Sequence, residues 1–259
     1  MLTIVTCNTN GIRAAARKGF FKWLQTVNAD IVCIQETKAQ SDQIDDPMYW
    51  PEGYHCIYND ALKKGYSGTA LYSKLVPQHV TCELGWPSAD DEGRYIQADF
   101  RELTVISLYL PSGSSSPQAQ AKKFDFLDRF FPHLAALRES PREIILCADW
   151  NICHQPIDLK NWRANQKNSG FLPEERAWLD RIYDELGYVD SFRVVNEAPD
   201  QYTWWSNRGR AWDNNVGWRL DYQVISPGLR DVVIDAAIYK DQRFSDHAPQ
   251  IMRYDLTLR

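Results

Sequence analysis

The chain has 259 residues, of which 44% are apolar, 13% aromatic and 24% charged, and that mixture excludes a disordered polymer. Its 29 basic and 34 acidic residues leave a formal charge of -5, which excludes a generally basic nucleic-acid coat. A local phosphate-binding face survives this arithmetic, because net charge averages over both sides of a molecule. No apolar run reaches membrane-spanning length, no secretory leader is expected ahead of Thr3-Ile4-Val5, and the six cysteines form no Cys-x-x-Cys pair. The expectation is a cytoplasmic protein with reduced cysteines and no membrane partner. Ten tryptophans serve either as core filler or as stacking surfaces, and composition does not choose.

Leu2–Cys7 reads as a buried strand, followed by the turn-prone Asn8-Thr9-Asn10-Gly11. Gly19–Val27 sets Phe20, Phe21, Trp23, Leu24 and Val27 on one helical face, and Ile31–Ile34 returns to a strand. This strand-helix-strand start favours an α/β protein. Further strands are expected at Tyr54–Tyr58, Thr69–Tyr72, Tyr95–Phe100 and Leu103–Leu108. Pro111–Pro117 is a loop by composition, and Gln118–Arg138 a helix in which Pro132 predicts a kink or a break. After a strand at Glu143–Cys147, a helix begins at Pro173 and runs to Leu186. Strands at Arg219–Ile225, Val232–Ile238 and Ile251–Leu256 complete the pattern. Many short strands and few helices point to a two-layered β-rich core covered by helices, with a doubly wound parallel sheet as the rival. No polar linker divides residues 1–259, so one domain is expected.

Polar groups gather where the apolar strands stop. Asn8 and Asn10 follow the first strand, Glu36 the second, and Asp149 with Asn151 the strand through Cys147. Asp221 interrupts an apolar segment, and Asp246-His247 lies just before the last strand. Such ends can converge on one cleft, where carboxylate and amide oxygens suit Mg²⁺ better than zinc. Each piece has a plainer use as a turn, a cap or a buried hydrogen-bond pair. Asp221 is the hardest to dismiss, since a buried carboxylate needs a partner.

Together these segments resemble the exonuclease III family of Mg²⁺-dependent nucleases, which includes apurinic/apyrimidinic endonucleases. The resemblance is carried by Asn8-Thr9-Asn10-Gly11, Ile34-Gln35-Glu36-Thr37-Lys38, Leu108-Tyr109-Leu110-Pro111, Ala148-Asp149-Trp150-Asn151, Trp218-Arg219-Leu220-Asp221 and Ser245-Asp246-His247-Ala248-Pro249. It covers nearly the whole chain. It implies an α/β four-layered sandwich, two β-sheets between outer helices, and hydrolysis of DNA phosphodiesters with Mg²⁺, or Mn²⁺ as a substitute. Glu36 is implied as the leading metal ligand, with Asn10 and Asp246 holding or orienting the ion. Asp149 is implied to position or deprotonate the attacking water, and Asn151 to orient it or the phosphate. His247 would bind a phosphate oxygen with support from Asp221, Asn8 would arrange the network, and Tyr109 would face the scissile phosphate.

DNA contacts are expected from the Asp158–Phe171 loop, through Lys160, Arg163, Lys167, Asn165 and Asn168, and from Arg208, Arg210 and Trp212. Trp204 or Trp205 is expected in the core. His154 matches a site-adjacent family position, where a structural hydrogen bond serves equally well. Three positions depart from the family pattern: Ala148 stands for a glycine, Ser112 for an amide residue and Phe244 for a proline. They put the balance of exonuclease and abasic-site activity in question. Lys160–Arg163, Glu175–Asp180 and Gly217–Gln223 also resemble the catabolite repression control proteins, non-catalytic partners in RNA-bound assemblies. That leaves an RNA-associated regulator as the alternative, with a small-phosphoester phosphatase behind it.

Overall fold

The computed structural model describes residues 1–258. The chain opens with strand β1 (Leu2–Asn8), helices α1 (Ile12–Arg17) and α2 (Phe20–Val27), and strands β2 (Ile31–Gln35), β3 (His55–Asn59), β4 (Thr69–Ser73) and β5 (His79–Thr81). The one-turn α3 (Pro87–Asp90), β6 (Tyr95–Asp99), β7 (Leu103–Tyr109) and the long α4 (Pro117–Arg138) follow. Next come β8 (Glu143–Asp149), the short α5 (Trp162–Asn165), α6 (Pro173–Asp184), β9 (Val189–Asp190) and α7 (Ser191–Val195). A small ribbon of β10 (Trp204–Trp205) and β11 (Gly217–Trp218) precedes β12 (Asp221–Ile225), β13 (Val233–Ile238) and β14 (Gln250–Tyr254).

Two six-stranded mixed sheets result, ordered β13-β14-β1-β2-β4-β3 and β5-β6-β7-β8-β12-β9. Their central strands are apolar on both sides because both faces are covered. Successive residues of one strand point to opposite layers. Ile4 faces inward onto the packed sheets with Cys33, Leu71, Val105, Ile145 and Met252. Val5, its neighbour, faces outward onto Phe20, Phe21, Trp23 and Leu24 of α2. On the far side, Ile106, Leu108, Leu146 and Val224 meet Phe126, Leu127 and Phe130 of α4 and Trp178, Leu179 and Ile182 of α6. Helix, sheet, sheet, helix is the four-layered α/β sandwich that the family resemblance implied.

Several details differ from the sequence reading. α4 is one continuous helix of 22 residues rather than two pieces. Pro132 sits on its solvent face, as does Asp128, so the carbonyl that loses its donor is open to hydration and the helix survives. α1 escaped the pattern because its buried residues, Ile12, Ala15 and Ala16, are few and small. β5, β9, β10 and β11 are two or three residues long, too short to show a period. The six cysteines are all free thiols. Among the described residues, no helix is long and apolar enough to cross a membrane.

The loop leading into β12 is fixed by a buried charge cluster. Arg219, 1% exposed, donates from Nε to Asp158 at 2.8 Å and from Nη2 to Asp190 at 2.6 Å, and Arg193 reaches the same Asp158 oxygen at 2.8 Å. Burial alone would raise Asp158, but the Arg219 and Arg193 guanidiniums hold it down at about 2. Its folded pKa therefore lies below the unfolded carboxylate value of about 4, so its contribution is present above pH ~4 and lost as pH falls towards 2. Asp158→Asn, which strands a buried guanidinium, should cost about 3 kcal/mol at neutral pH. Urea unfolding should also find the loss of stability between pH 5 and pH 2 smaller by about 2 kcal/mol in that variant. An unchanged acid slope would show that Asp158 does not carry it.

Candidate active site

The site forms where strand ends from both sheets meet. Asn8 ends β1 beside Gln35 of the parallel β2, and Glu36 follows directly. In the other sheet Tyr109, Asp149 and Asp221 lie side by side in register at the ends of β7 and β8 and the start of β12. Asp246 and His247 enter from the loop before β14.

Short backbone hydrogen bonds lock the two turns of the first sheet together. Gly11 N donates to Glu36 O at 2.8 Å, Ile12 N to Thr37 O at 2.9 Å, and Thr37 N to Gly68 O at 3.1 Å. The local conformation is costly. Asn10, Glu36 and Asn151 all have left-handed backbones, with φ of 43°, 51° and 51°. Asparagine tolerates this region, whereas a glutamate there costs about 1 kcal/mol. Gly68, at φ +84°, accommodates the bend, since a Cβ there would lie 2.3 Å from Thr37 Oγ1.

One hydrogen-bond chain then crosses the site. Asn8 Nδ2 donates to Glu36 Oε1 and to Asp149 Oδ2, each at 2.8 Å. The other Asp149 oxygen accepts Asn151 N at 2.9 Å, and Asn151 Nδ2 donates to Leu110 O at 2.9 Å. His247 Nδ1 is 2.8 Å from Asp221 Oδ2, which leaves Nε2 facing Asp149 at 3.9 Å. Asp246 accepts Asn10 Nδ2 at 2.9 Å and Trp204 Nε1 at 3.0 Å. The buried Tyr109 side chain lines the cleft beside Glu36.

Burial and these partners set the protonation of the site. Burial pushes Asp149 up to about 7, aided by Asp221 and Glu36 and opposed by His247. Burial would lower His247, but the Asp221 and Asp149 carboxylates carry it up to about 10. Burial works against Glu36 too, yet Lys38 and the hydrogen bonds from Asn8, Lys38 and Tyr109 keep it below its ordinary range. Asp246 is likewise depressed: His247 and the bonds from Asn10, Trp204 and Ser245 outweigh its burial.

Two groups of donors can hold a divalent cation. Asp149, Asp221 and His247 form a buried cluster whose ligand atoms lie within 4.8 Å of one another. His247 Nδ1 and Asp221 Oδ2 are already committed to each other there. Glu36 and Asp246, by contrast, line the open cleft, with Asn10 between them. The Lys38 ammonium bridges Glu36 Oε2 at 2.6 Å and Asn10 Oδ1 at 2.5 Å. A positive centre thus already fits between these oxygens, one a carboxylate and one a neutral amide, and such hard donors suit Mg²⁺ or Mn²⁺.

The cleft measures about 650 Å³ and takes in Glu36, Tyr109, Asn151, Asp246 and His247. Ser112, Ser114, Gln120, Asn168 and Ser169 also line it, with Trp204, Trp218 and Leu220 as its apolar part. Asn165 lies just behind, its Oδ1 accepting Asn168 Nδ2 at 2.7 Å. Other expected DNA contacts are not gathered here. Lys160 pairs with Asp200 at 2.9 Å, Arg163 lies over the Trp162 ring, Arg210 pairs with Asp213 at 3.2 Å, and Arg208 is exposed. Trp205 is in the core as expected; Trp212 packs tilted against it with ring centres 4.4 Å apart, and Arg243 lies over the Trp212 ring at 4.9 Å. His154 bonds Asp180 at 2.7 Å and lines a separate hollow.

Sequence reasoning missed Lys38, although it stands in the quoted Glu36-Thr37-Lys38 segment. It also missed Arg13 and Arg17, which with Lys38 line a basic hollow beside Gly11. The Arg-x3-Arg spacing just after the Asn-Gly turn was the available signal. Arg94 was missed as well: it is buried, lies under the Tyr109 ring at 4.7 Å and donates to Tyr109 O at 2.9 Å. The three departures are absorbed locally. Ala148 sits inside β8 with no need of a left-handed backbone, Ser112 pairs with Ser114 at 3.0 Å, and Phe244 packs on Phe20, Trp23 and Tyr239.

Residues 5–247 match the endonuclease/exonuclease/phosphatase family. The chain is 40% identical over 250 residues to an exodeoxyribonuclease of Bacillus subtilis, covering 96% of this chain and 97% of that one. It is 37% identical over 253 residues to the DNA repair nuclease APEX1 of Danio rerio, covering 96% of this chain and 80% of the relative. An AP endonuclease structure from Archaeoglobus fulgidus superposes with a TM-score of 0.90 at 28% identity, covering 99% of this chain and all of that one. Sequence, fold and a buried carboxylate-histidine site agree, and the chain belongs to the endonuclease/exonuclease/phosphatase family, on its exonuclease III and apurinic/apyrimidinic endonuclease side, as a metal-dependent nuclease.

Proposed function

We propose that residues 1–259 act as one nuclease domain that hydrolyses DNA phosphodiesters, chiefly as a 3'-to-5' exodeoxyribonuclease that leaves a 3'-hydroxyl and a 5'-phosphate. Cleavage at abasic sites and repair of blocked 3' ends accompany that activity. The observation that carries this reading is the run of polar groups from the His247–Asp221 pair, across a 3.9 Å charge contact to Asp149, and on through Asn8 to Glu36, opening on a cleft with an apolar tryptophan wall. The likeness to the B. subtilis exodeoxyribonuclease along nearly its full length supports the exonuclease emphasis.

Glu36, Asn10 and Asp246 would hold the ion. When bound, Mg²⁺, or Mn²⁺ in its place, supplies positive charge beside the phosphoryl oxygens. Asp149, lifted by burial towards neutrality, orients the attacking water and accepts its proton, while Asn151 fixes the Asp149 carboxylate from the side. Charged His247, steered by Asp221, donates from Nε2 to a phosphate oxygen. Tyr109, seated on Arg94, presents its hydroxyl to the same group. Lys167 and Asn168 at the cleft, with Lys160, Arg163 and Asn165 beyond, would meet one strand's phosphates, and Arg208, Arg210 and Trp212 a neighbouring stretch. Duplex DNA with an accessible 3' end or an abasic site is the expected partner.

Matched intact, 3'-recessed and abasic duplexes, each with and without Mg²⁺, test the reading directly. Cleavage should need the metal and an end or a lesion. If no duplex is cut while the protein joins an RNA-bound assembly, the non-catalytic alternative replaces it. Glu36→Ala, Asp149→Asn and His247→Asn should each lower kcat by about 10²-fold or more with the fold intact by circular dichroism. Undiminished turnover would remove these residues from the site. Binding should weaken with salt, and Arg163→Ala/Lys167→Ala should reduce the slope of log K against log [salt] by about 1.8. An unchanged slope would move the DNA off this loop.

A further inference from the structure

Away from the cleft surface, Lys123 of α4 and Glu175 of α6 form an ion pair of 2.5 Å in which both side chains are fully buried. Such a pair rarely adds net stability, because the two charges surrender their hydration. Its other bonds show what it holds. Lys123 Nζ donates to the backbone carbonyl of Asn151 at 2.8 Å, on the turn whose amide caps Asp149. Glu175 Oε2 accepts Gly170 N at 2.7 Å and Leu172 N at 3.0 Å, the far end of the loop that carries Asn165, Lys167 and Asn168. Glu175 Oε1 also accepts Gln120 Nε2 at 3.1 Å. Gln120 in turn is close enough to Gly113 that a Cβ there would lie 2.0 Å from its Oε1, so the serine-rich segment around Gly113 packs on the glutamine that this carboxylate holds.

A helix cap explains only one of these contacts. Glu175 occupies the third position of α6 and satisfies Leu172 N, as a capping glutamate does. Capping calls for neither a buried lysine nor a bond to Gly170. The contact between the two functional segments is also tight. Cys153 N donates to Gly170 O at 2.7 Å, and a Cβ on Gly170, at φ +93°, would come within 3.2 Å of Asn151 O, the atom that Lys123 holds.

We propose that Lys123 and Glu175 are positioning residues that register the Asp149–Asn151 turn against the DNA-facing loop before Gly170. Lys123 sets the turn and Glu175 sets the loop, so the two ends of the pair act on different kinetic quantities. The inference rests on the nuclease reading for its kinetic form only. Lys123→Met frees the Asn151 carbonyl and should lower the single-turnover rate about 10- to 100-fold with KM near that of the parent, while Lys123→Arg restores most of the rate. Glu175→Gln leaves an acceptor but no counter-charge, and should raise KM for duplex DNA about tenfold or more.

Trypsin supplies a readout independent of catalysis. In the folded protein, well below its Tm, Glu175→Gln should be nicked at Arg163 and Lys167 about tenfold faster than the parent, and Lys123→Arg should not. Rates are taken per folded molecule from the near-ultraviolet circular dichroism signal. Unaltered KM and unaltered nicking in Glu175→Gln, or a Lys123→Met rate equal to the parent's, would overturn the proposal. Should the parent itself cleave no DNA, the nuclease reading fails; faster nicking in Glu175→Gln would then still support the positioning role, and unchanged nicking would still defeat it.

Discussion

The site depends on one electrostatic constraint: carboxylates from both sheets converge where the strands end. Asp149 and Asp221 come from one sheet, Glu36 and Asp246 from the other, and His247 and Lys38 set opposing charge directly against them. At the site itself the Asn8 amide joins the two sheets by donating to Glu36 and Asp149 together. Its placement follows from β1 and β2 being parallel neighbours, so that both strands finish at the same edge. The sandwich aligns those edges, and unsatisfied negative charge at the junction makes the site a cation site.

The same constraint accounts for the backbone strain. Three site residues, Asn10, Glu36 and Asn151, adopt left-handed conformations, and the strain is held by neighbours rather than relieved. For Glu36 the restraint comes from backbone hydrogen bonds to Gly11 and from the close approach of Gly68. For Asn151 it comes from the buried Lys123 ammonium. A pair of buried charges that contributes little to stability is understandable if its role is to fix the position of a strained turn.

The central strands were legible in the sequence because apolar runs such as Ile31–Ile34 and Leu103–Leu108 need cover on both faces, whereas those runs left a doubly wound sheet as rival and the four layers came from the family resemblance. Glu36, Asp149, Asp221 and His247 were legible as polar groups breaking such runs. What escaped is what has no local pattern. α1 buries mostly alanine, and Pro132 signals a break that the solvent-facing side of α4 tolerates. Lys123 and Glu175 are 52 positions apart and read as ordinary helix-surface charges until α4 and α6 are packed on the same sheet. Arg94 likewise looks like a strand-end cation until Tyr109, in the neighbouring strand, closes over it.

Net acidity and a polyanionic substrate are reconciled by where the charges sit. A floor of carboxylates repels a phosphate unless a cation intervenes, so dependence on the metal and selection for phosphate follow from the same residues. Arg13, Arg17 and Lys38 flank the floor on one side. Lys167 lines the cleft itself, with Lys160 and Arg163 earlier in the same loop. Much of the remaining cleft lining is apolar or hydroxyl-bearing, through Trp204, Trp218, Leu220, Ser112 and Ser114. In the proposed nuclease the basic groups would attract the backbone, and the acidic floor would admit phosphate only in company with a counter-ion. A uniformly basic surface would bind DNA more tightly and would lose that last discrimination, so the overall charge of -5 is compatible with the chemistry of the site rather than opposed to it.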